Sequence, residues 1–438
     1  MDTAVLASEK PAILGGPKAV TIPDGDLFDW PIVTAEDERA VVAVLRAGTM
    51  SGTAITREFE ADWGRYTGLR YNLGHCNGTA ALLSAMFGIG LKRGDEIICP
   101  SITYWASAMP AWLLGATPVF ADIEPDSLCL DAGDIERWLS PRTRAIVVVH
   151  YCGHPADMDA IMAVARRHNL RIIEDCSHAH GTLYKGRMVG TFGDVAAWSM
   201  MAGKSLAIGE GGMMSTNDPI IHERAIAFAH YERAKTDITV PELTRVVAAD
   251  GFATGLPLGA LKGRMNQTCS AMGRVQLAHY PARMAEIQKA MTRFWSLLEG
   301  TPGLRPHRPP PAQGSTMGGW YNPLGHYLPE ELGGLAVERF IEAVAAEGGR
   351  CGRGPNFPLH LHPVLREADV FGDGRPTRTA FASRDIRQPD GSLPVAEGLA
   401  ERAMGIPLFR HDRPDAIARH AAAYRKVALH AAEIRQAR

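Results

Sequence analysis

The chain has 438 residues, 46% hydrophobic and 21% charged, enough to bury a large core and to divide into two domains. Its formal net charge of −2, with no long basic run, excludes the electrostatic footprint of a nucleic-acid binder. No stretch approaches the ~18 consecutive apolar residues of a membrane span, and Met1-Asp2-Thr3-Ala4 does not open a secretory signal, so a cytoplasmic protein with small-molecule partners is expected.

Residues 1–33, rich in Pro and Gly, read as an arm that packs onto something else. Thr34 then caps a helix with Asp37 at its third position, Val41, Val42 and Leu45 as its apolar face, and Gly48 as its stop. A second amphipathic helix fits about 56–66, with Phe59, Trp63 and Tyr66 at helical spacing. Asn77-Gly78-Thr79 opens a third. Strands are expected at Glu96–Cys99, Pro118–Ala121, Arg144–His150 and Arg171–Asp175, with helices near 105–114 and over Met158–Arg167. This alternation predicts an α/β domain with a mostly parallel sheet covered on both faces.

Sites in such sheets lie at the carboxyl ends of strands. Asp175 and His178 fall at one such end, and Ser199 and Lys204 follow the apolar run Val195–Trp198 at another. Tyr184–Arg187 between them reads as a tight hairpin turn. Beyond lie a helix over 219–230, an irregular stretch at 231–258 and a helical segment at 265–298 broken near Pro281. Thr301–Gly319, with Pro302, Pro306, Pro309, Pro310 and Pro311, reads as a linker. The expected division is therefore an arm (1–33), a large domain (34–300) and a smaller C-terminal α/β domain (301–438). The last contains a helix at 335–347, a Gly/Pro/His-rich loop at 351–363 and a final helix at 413–436.

Seven cysteines (76, 99, 129, 152, 176, 269, 351) are odd in number and form no Cys-x-x-Cys pair, which supports neither a disulfide framework nor a metal site. The chemistry centres on Lys204, set among small residues and glycines in Ser199–Gly212. Gly203-Lys204-Ser205 ends like a phosphate-binding loop, but Trp198 stands where that pattern needs a glycine. Two readings stay open: an ordinary loop lysine, and an amine that forms a Schiff base with a carbonyl cofactor.

Pyridoxal phosphate needs an amine, a carboxylate for its ring nitrogen, an aromatic face and donors for its phosphate. Lys204, Asp175, Tyr104 and the group Gly78, Thr79 and Ser199 offer these in turn, and His178 offers a bond to the phenolic oxygen. Against each stands a structural alternative: a cap for Asp175 and Asn77-Gly78-Thr79, core packing for Tyr104, a satisfied histidine for His178.

Read in order, Ser51-Gly52, Asn77–Leu82, Gly115–Phe120, Glu174–His178, Gly190–Asp194 and Lys204–Gly212 resemble the DegT/DnrJ/StrS family of pyridoxal-phosphate-dependent sugar aminotransferases, over roughly 27–430. The resemblance implies a fold type I aminotransferase acting as a homodimer with shared active sites. It implies Lys204 as Schiff base and proton shuttle, Asp175 on the pyridine nitrogen, Tyr104 stacking, Gly78, Thr79 and Ser199 on the phosphate, and His178 near the ring. Asn77 and Cys152 depart from the family's usual Ser and aromatic. Lys262-Gly263-Arg264-Met265 replaces the Asn-Tyr-Arg-Met whose asparagine reaches the neighbouring subunit's phosphate, so Lys262 is expected to serve there as a point charge, with a solvated surface lysine as the alternative.

The opening Gly15–Val20 resembles members that aminate keto-cyclitols with glutamine as donor, and His360 and His362 sit in a loop that would border the substrate. The expected reaction moves an amino group from glutamine or glutamate to a keto-sugar or keto-cyclitol in two half-reactions. A related sugar dehydratase is disfavoured by the retained Lys204, and a cofactor-binding regulatory protein without turnover is the alternative from another class.

Overall fold

The computed structural model describes residues 8–241, 243 and 258–437, so most of the stretch expected to be irregular over 231–258 lies outside the described residues. The helix Ala35–Ala47 starts as expected: the Thr34 hydroxyl accepts from the Asp37 N–H while the Asp37 carboxylate accepts from the Thr34 N–H, and Gly48 ends it at φ 65°. Its buried face is not the expected one. Val44 is buried while Val42 and Leu45 are exposed, because the helix lies against Gln267–Leu297 through Asp37, whose carboxylate accepts from Gln276 Nε2 at 2.9 Å. The next helix, Ala54–Thr67, buries Phe59 and Trp63 completely.

The strands of the main sheet are β1 (Tyr71–His75), β2 (Glu96–Pro100), β3 (Thr117–Ala121), β4 (Thr143–Val149) and β5 (Arg171–Asp175). A small hairpin of β6 (Leu183–Tyr184) and β7 (Arg187–Met188) follows, and β8 (Val195–Ser199) and β9 (Gly212–Thr216) then complete the sheet. Lys185 and Gly186 both take positive φ in the hairpin turn, as its two-residue connection requires. The sheet order is β1-β9-β8-β5-β4-β2-β3, and within it β9 alone runs against the rest. The mostly parallel α/β fold read from the alternation is thus the one observed, with buried β4 and β5 at its centre. Asp175 pairs in register with Ala197, so β5 and β8 deliver Asp175 and Ser199 to the same edge.

The helix expected near 105–114 is instead two 3₁₀ segments, Trp105–Ser107 and Met109–Leu114, the second containing Pro110. Pro281 does not break its helix: Gln267–Leu297 is continuous. Packing holds both halves, the first against the two N-terminal helices and the second in another core through Ile287, Phe294 and Trp295.

That second core surrounds an antiparallel sheet of β10 (Leu304–Pro306), β11 (Leu324–Tyr327), β12 (Gly352–Arg353) and β13 (Ala403–Gly405), in the order β10-β11-β13-β12. Helices Val337–Ala346 and Pro414–Leu429 pack on it, the latter followed after His430 by Ala431–Gln436. The stretch read as a linker carries β10 and is docked rather than solvated: His307 is fully buried and its Nε2 lies 2.8 Å from the Ser127 carbonyl oxygen. The N-terminal arm packs onto this second core. Its Ala12 and Ala19 N–H groups donate to the Glu347 carboxylate at 2.6 and 2.9 Å, which also meets Lys426 in a buried ion pair at 3.1 Å. Leu359, Leu365 and Leu393, by contrast, return to the core of the main sheet. No helix among the described residues is long and apolar enough to cross a membrane, and all seven cysteines are free.

Candidate active site

Lys204 is 7% exposed and, among the described residues, makes no ion pair; its Nζ lies 4.0 Å from the centre of the Tyr321 ring. Burial lowers its pKa to about 8, against the opposing pull of Asp175 and Cys152. A buried, unpaired amine that titrates near neutrality is suited to nucleophilic and proton-transfer work. Its carbonyl oxygen accepts from Trp30 Nε1 at 2.8 Å, which ties the N-terminal arm to the lysine.

Asp175, at the end of β5, is also buried. Its Oδ2 accepts from the Ser107 hydroxyl at 2.6 Å and its Oδ1 from the Ser177 N–H at 3.0 Å. Thr103 Oγ1 lies 2.8 Å from the same serine hydroxyl, so the tight 3₁₀ turn holds the donor in place.

Gly78 and Thr79 begin the helix Gly78–Gly88, capped by the Asn77 side chain on the Ala80 N–H. A Cβ on Gly78 would lie 2.5 Å from Ser199 Cβ, and one on Gly212 would lie 2.4 Å from the Asn77 carbonyl oxygen. Both strand ends therefore abut the helix start. The Gly78 and Thr79 N–H groups have no helical acceptor at this position, and the hydroxyl-bearing residues Thr79 and Ser199 lie at the same junction. Hydrogen-bond donors are gathered there.

His178 Nδ1 accepts from the Cys152 N–H at 3.2 Å, which leaves Nε2 as the protonated nitrogen of the neutral ring. Burial, with the charges of Lys204 and His180, holds its pKa well below the usual histidine range. Its ring lies 4.4 Å from that of Tyr321. Tyr104 keeps half its surface exposed at the start of its 3₁₀ segment, against Trp105.

Sequence reasoning missed Tyr321, Ser107, His180 and Trp30. Tyr321 is flanked by Trp320 at φ 53° and Asn322 at φ 43°, left-handed conformations that are costly for such residues and collect at functional sites. Cys152, at φ 52°, is a third such case. No local pattern in the sequence announces any of them.

Some expected residues stand elsewhere. Lys262 is exposed, with its Nζ 5.8 Å from the Tyr231 ring centre, and it contacts none of the Lys204 cluster within this chain. His360 does not border a substrate: it is fully buried, with Nδ1 2.7 Å from Ser101 Oγ and Nε2 3.1 Å from Glu397, and serves as a strut between segments. His362 caps the turn Pro363–Arg366 through the Val364 N–H. His150, Glu174 and Cys176 converge in the interior, but Glu174 already accepts from the N–H groups of Gly190, Phe192 and Gly193 and bonds His150, so its oxygens hold the 190–193 loop.

The sequence matches the DegT/DnrJ/EryC1/StrS aminotransferase family over residues 31–423. The chain belongs to this family. It is 32% identical over 392 residues to the L-glutamine:2-deoxy-scyllo-inosose aminotransferase of Micromonospora echinospora, covering 86% of this chain and 89% of that one. It is 31% identical over 392 residues to the dTDP-3-amino-3,4,6-trideoxy-alpha-D-glucose transaminase of Streptomyces venezuelae, covering 87% and 90%. The fold matches that of S. venezuelae DesV in complex with a ketimine intermediate, with a TM-score of 0.73 and 30% identity over 90% of this chain and 94% of that one. The protein is an aminotransferase.

Proposed function

We propose that this aminotransferase uses pyridoxal 5'-phosphate to move an amino group from L-glutamine or L-glutamate to a keto-cyclitol or keto-sugar. The observation that carries the reading is the buried, unpaired Lys204 amine beside the buried Asp175 carboxylate, at the strand edge where the Gly78 helix starts. The residues present fit the cofactor. Its phosphate matches the donors of Gly78, Thr79 and Ser199, and its ring has the half-exposed Tyr104 for one face and Asp175 for its nitrogen. When bound, this group supplies an electron sink for the bond-making at the amino carbon.

The chain's own groups do the rest. Lys204, with a pKa of about 8, holds an appreciable neutral fraction at physiological pH, so its Nζ can attack a carbonyl and carry a proton. Asp175 is kept in place by Ser107 and Ser177, so a fixed negative charge faces the site without reorganising during the reaction. His178 presents Nε2–H as a neutral donor, and Tyr321, next to Trp320 of the second core, covers the amine.

Several further points belong to this reading. The relatives that act on 2-deoxy-scyllo-inosose and on a dTDP-sugar mark the acceptor class, and the opening Gly15–Val20 favours the cyclitol with glutamine as donor. A homodimer with shared sites is part of this reading, and exposed Leu113, Leu258 and Leu261 offer apolar surface to a second subunit. Lys262 would then reach the phosphate of the partner subunit. We take the domains as 1–33, 34–300 and 301–438 and the location as cytoplasmic, in keeping with the free cysteines.

Incubating the loaded protein with L-glutamine and either 2-deoxy-scyllo-inosose or a dTDP-keto-sugar, with mass detection of the aminated product, tests the reading. Product with one acceptor class supports it. No change in the cofactor's absorbance with any amino acid would favour a binding protein without turnover.

A further inference from the structure

Arg410 follows β13 and is 8% exposed, yet among the described residues its guanidinium makes neither an ion pair nor a hydrogen bond, and its buried Nη1 has no partner. It stacks on Trp30, 3.9 Å from the ring centre, and Trp30 in turn bonds the Lys204 carbonyl. Burial lowers its pKa to about 10, which leaves it charged at neutral pH. A buried cation without a counter-ion is costly, and such a group persists when a ligand completes it.

The surroundings show where that ligand sits. A cavity of about 390 Å³ is lined by Tyr151, Cys152, His178, Arg353, Asn356 and Arg410, so the arginine shares it with the two residues joined by the Cys152–His178 bond. His178 meets the same Tyr321 ring that covers the Lys204 amine. Arg378 provides an internal contrast. It is more deeply buried and its Nη1 is likewise unpartnered, but its Nε and Nη2 donate to the Pro118 and Ile386 carbonyls and to Gln388 Oε1, so it braces the fold.

We propose that Arg410 is the receptor for the carboxylate of the amino-acid donor, an inference that rests on the aminotransferase reading above. A planar guanidinium with a free edge matches a carboxylate in two parallel hydrogen bonds. The amino donor carries such a group and a keto-cyclitol does not, so Arg410 serves the half-reaction that loads the amine. Trp30 fixes the plane of the fork and links it mechanically to Lys204.

The test compares wild-type protein loaded with pyridoxal phosphate, Arg410→Gln and Arg410→Lys in two measurements. The first is the rate constant kcat/KM of the amine-loading half-reaction for L-glutamine against 4-aminobutanamide, the same amine without its carboxylate. The second is calorimetric titration with propionate. The glutamine preference and the propionate affinity should each fall at least about 10-fold in Arg410→Gln, as loss of a charged hydrogen-bond pair implies, and by less in Arg410→Lys. An unchanged ratio with unchanged propionate binding overturns the proposal, and if Arg410→Gln does not fold, Arg410→Lys decides by the same criteria. If wild-type protein reacts with neither amine, L-glutamine as its donor has failed. Propionate binding then decides for Arg410 alone: sensitivity to the substitution supports the carboxylate receptor, and insensitivity refutes it.

Discussion

Gly78 and Ser199 are in direct contact: a Cβ on Gly78 would lie 2.5 Å from the serine Cβ and 2.9 Å from its Cα. The helix start and the end of β8 thus approach as closely as a glycine allows, and this sets the spacing of the donors proposed for the phosphate. Gly78→Ala should push the two apart. We expect cofactor affinity to drop at least about 10-fold in an absorbance titration, while Ser199→Ala, which removes one hydroxyl and no backbone contact, should cost less.

Asp175 depends on Ser107 for one of its two hydrogen bonds. Ser107→Ala removes a donor to a charged, buried acceptor, worth about 1.5–3 kcal/mol. Turnover should fall about 10-fold or more with little change in KM, since substrate contacts remain. Measured steady-state constants that show the loss in KM alone would point to a different role for the serine.

The sign of the pH dependence follows from Lys204. Its folded pKa, about 8, lies below the ordinary lysine value of 10.5, so the amine gains its neutral form as pH rises through 8. The rate at which apo-protein captures pyridoxal phosphate should therefore climb between pH 6 and 9 and level off above. By linkage, the same group costs stability fully below pH 8, and the cost disappears as pH rises towards 10.5. Apo Lys204→Met should accordingly be more stable than apo wild type at pH 7, by about 3 kcal/mol at most, with a smaller difference at pH 9.5.

Lys426 and Glu347 form an ion pair with no exposed side-chain surface, and the arm hangs its Ala12 and Ala19 N–H groups on the same carboxylate. Lys426→Met leaves that charge buried without its cation and should destabilise the fold by about 3–5 kcal/mol. The double variant with Glu347→Gln should recover much of this in denaturant unfolding. Because Trp30 lies on the same arm, loosened packing should also lower activity.

What the sequence made legible was chiefly what is local. The Thr34–Asp37 capping box, the alternation that yields β2 to β5 and β8, and the positions of Asp175 and Lys204 all follow from short patterns. β1 was invisible because Tyr71-Asn72-Leu73-Gly74-His75 carries polar residues and a glycine where a strand pattern wants branched ones. The apolar face of the first helix was misjudged because its burial is set by the Gln276–Asp37 bond to a helix more than 200 residues away. Pro281 suggested a break, and tertiary packing overrode it. Tyr321, Trp30 and Arg410 are linked to Lys204 or to one another across 117, 174 and 380 residues of chain, which no spacing rule reveals. His360 showed the opposite failure, a loop histidine in sequence that folding turns into a buried strut.

The account rests on Lys204 as the covalent anchor of the cofactor. Borohydride reduction of the pyridoxal-phosphate-loaded protein, followed by peptide mass mapping, tests this most directly. The account predicts a single pyridoxyl adduct, on the peptide carrying Lys204, and none after Lys204→Ala. An adduct on another lysine, such as Lys185 or Lys262, with Lys204 unmodified would contradict it.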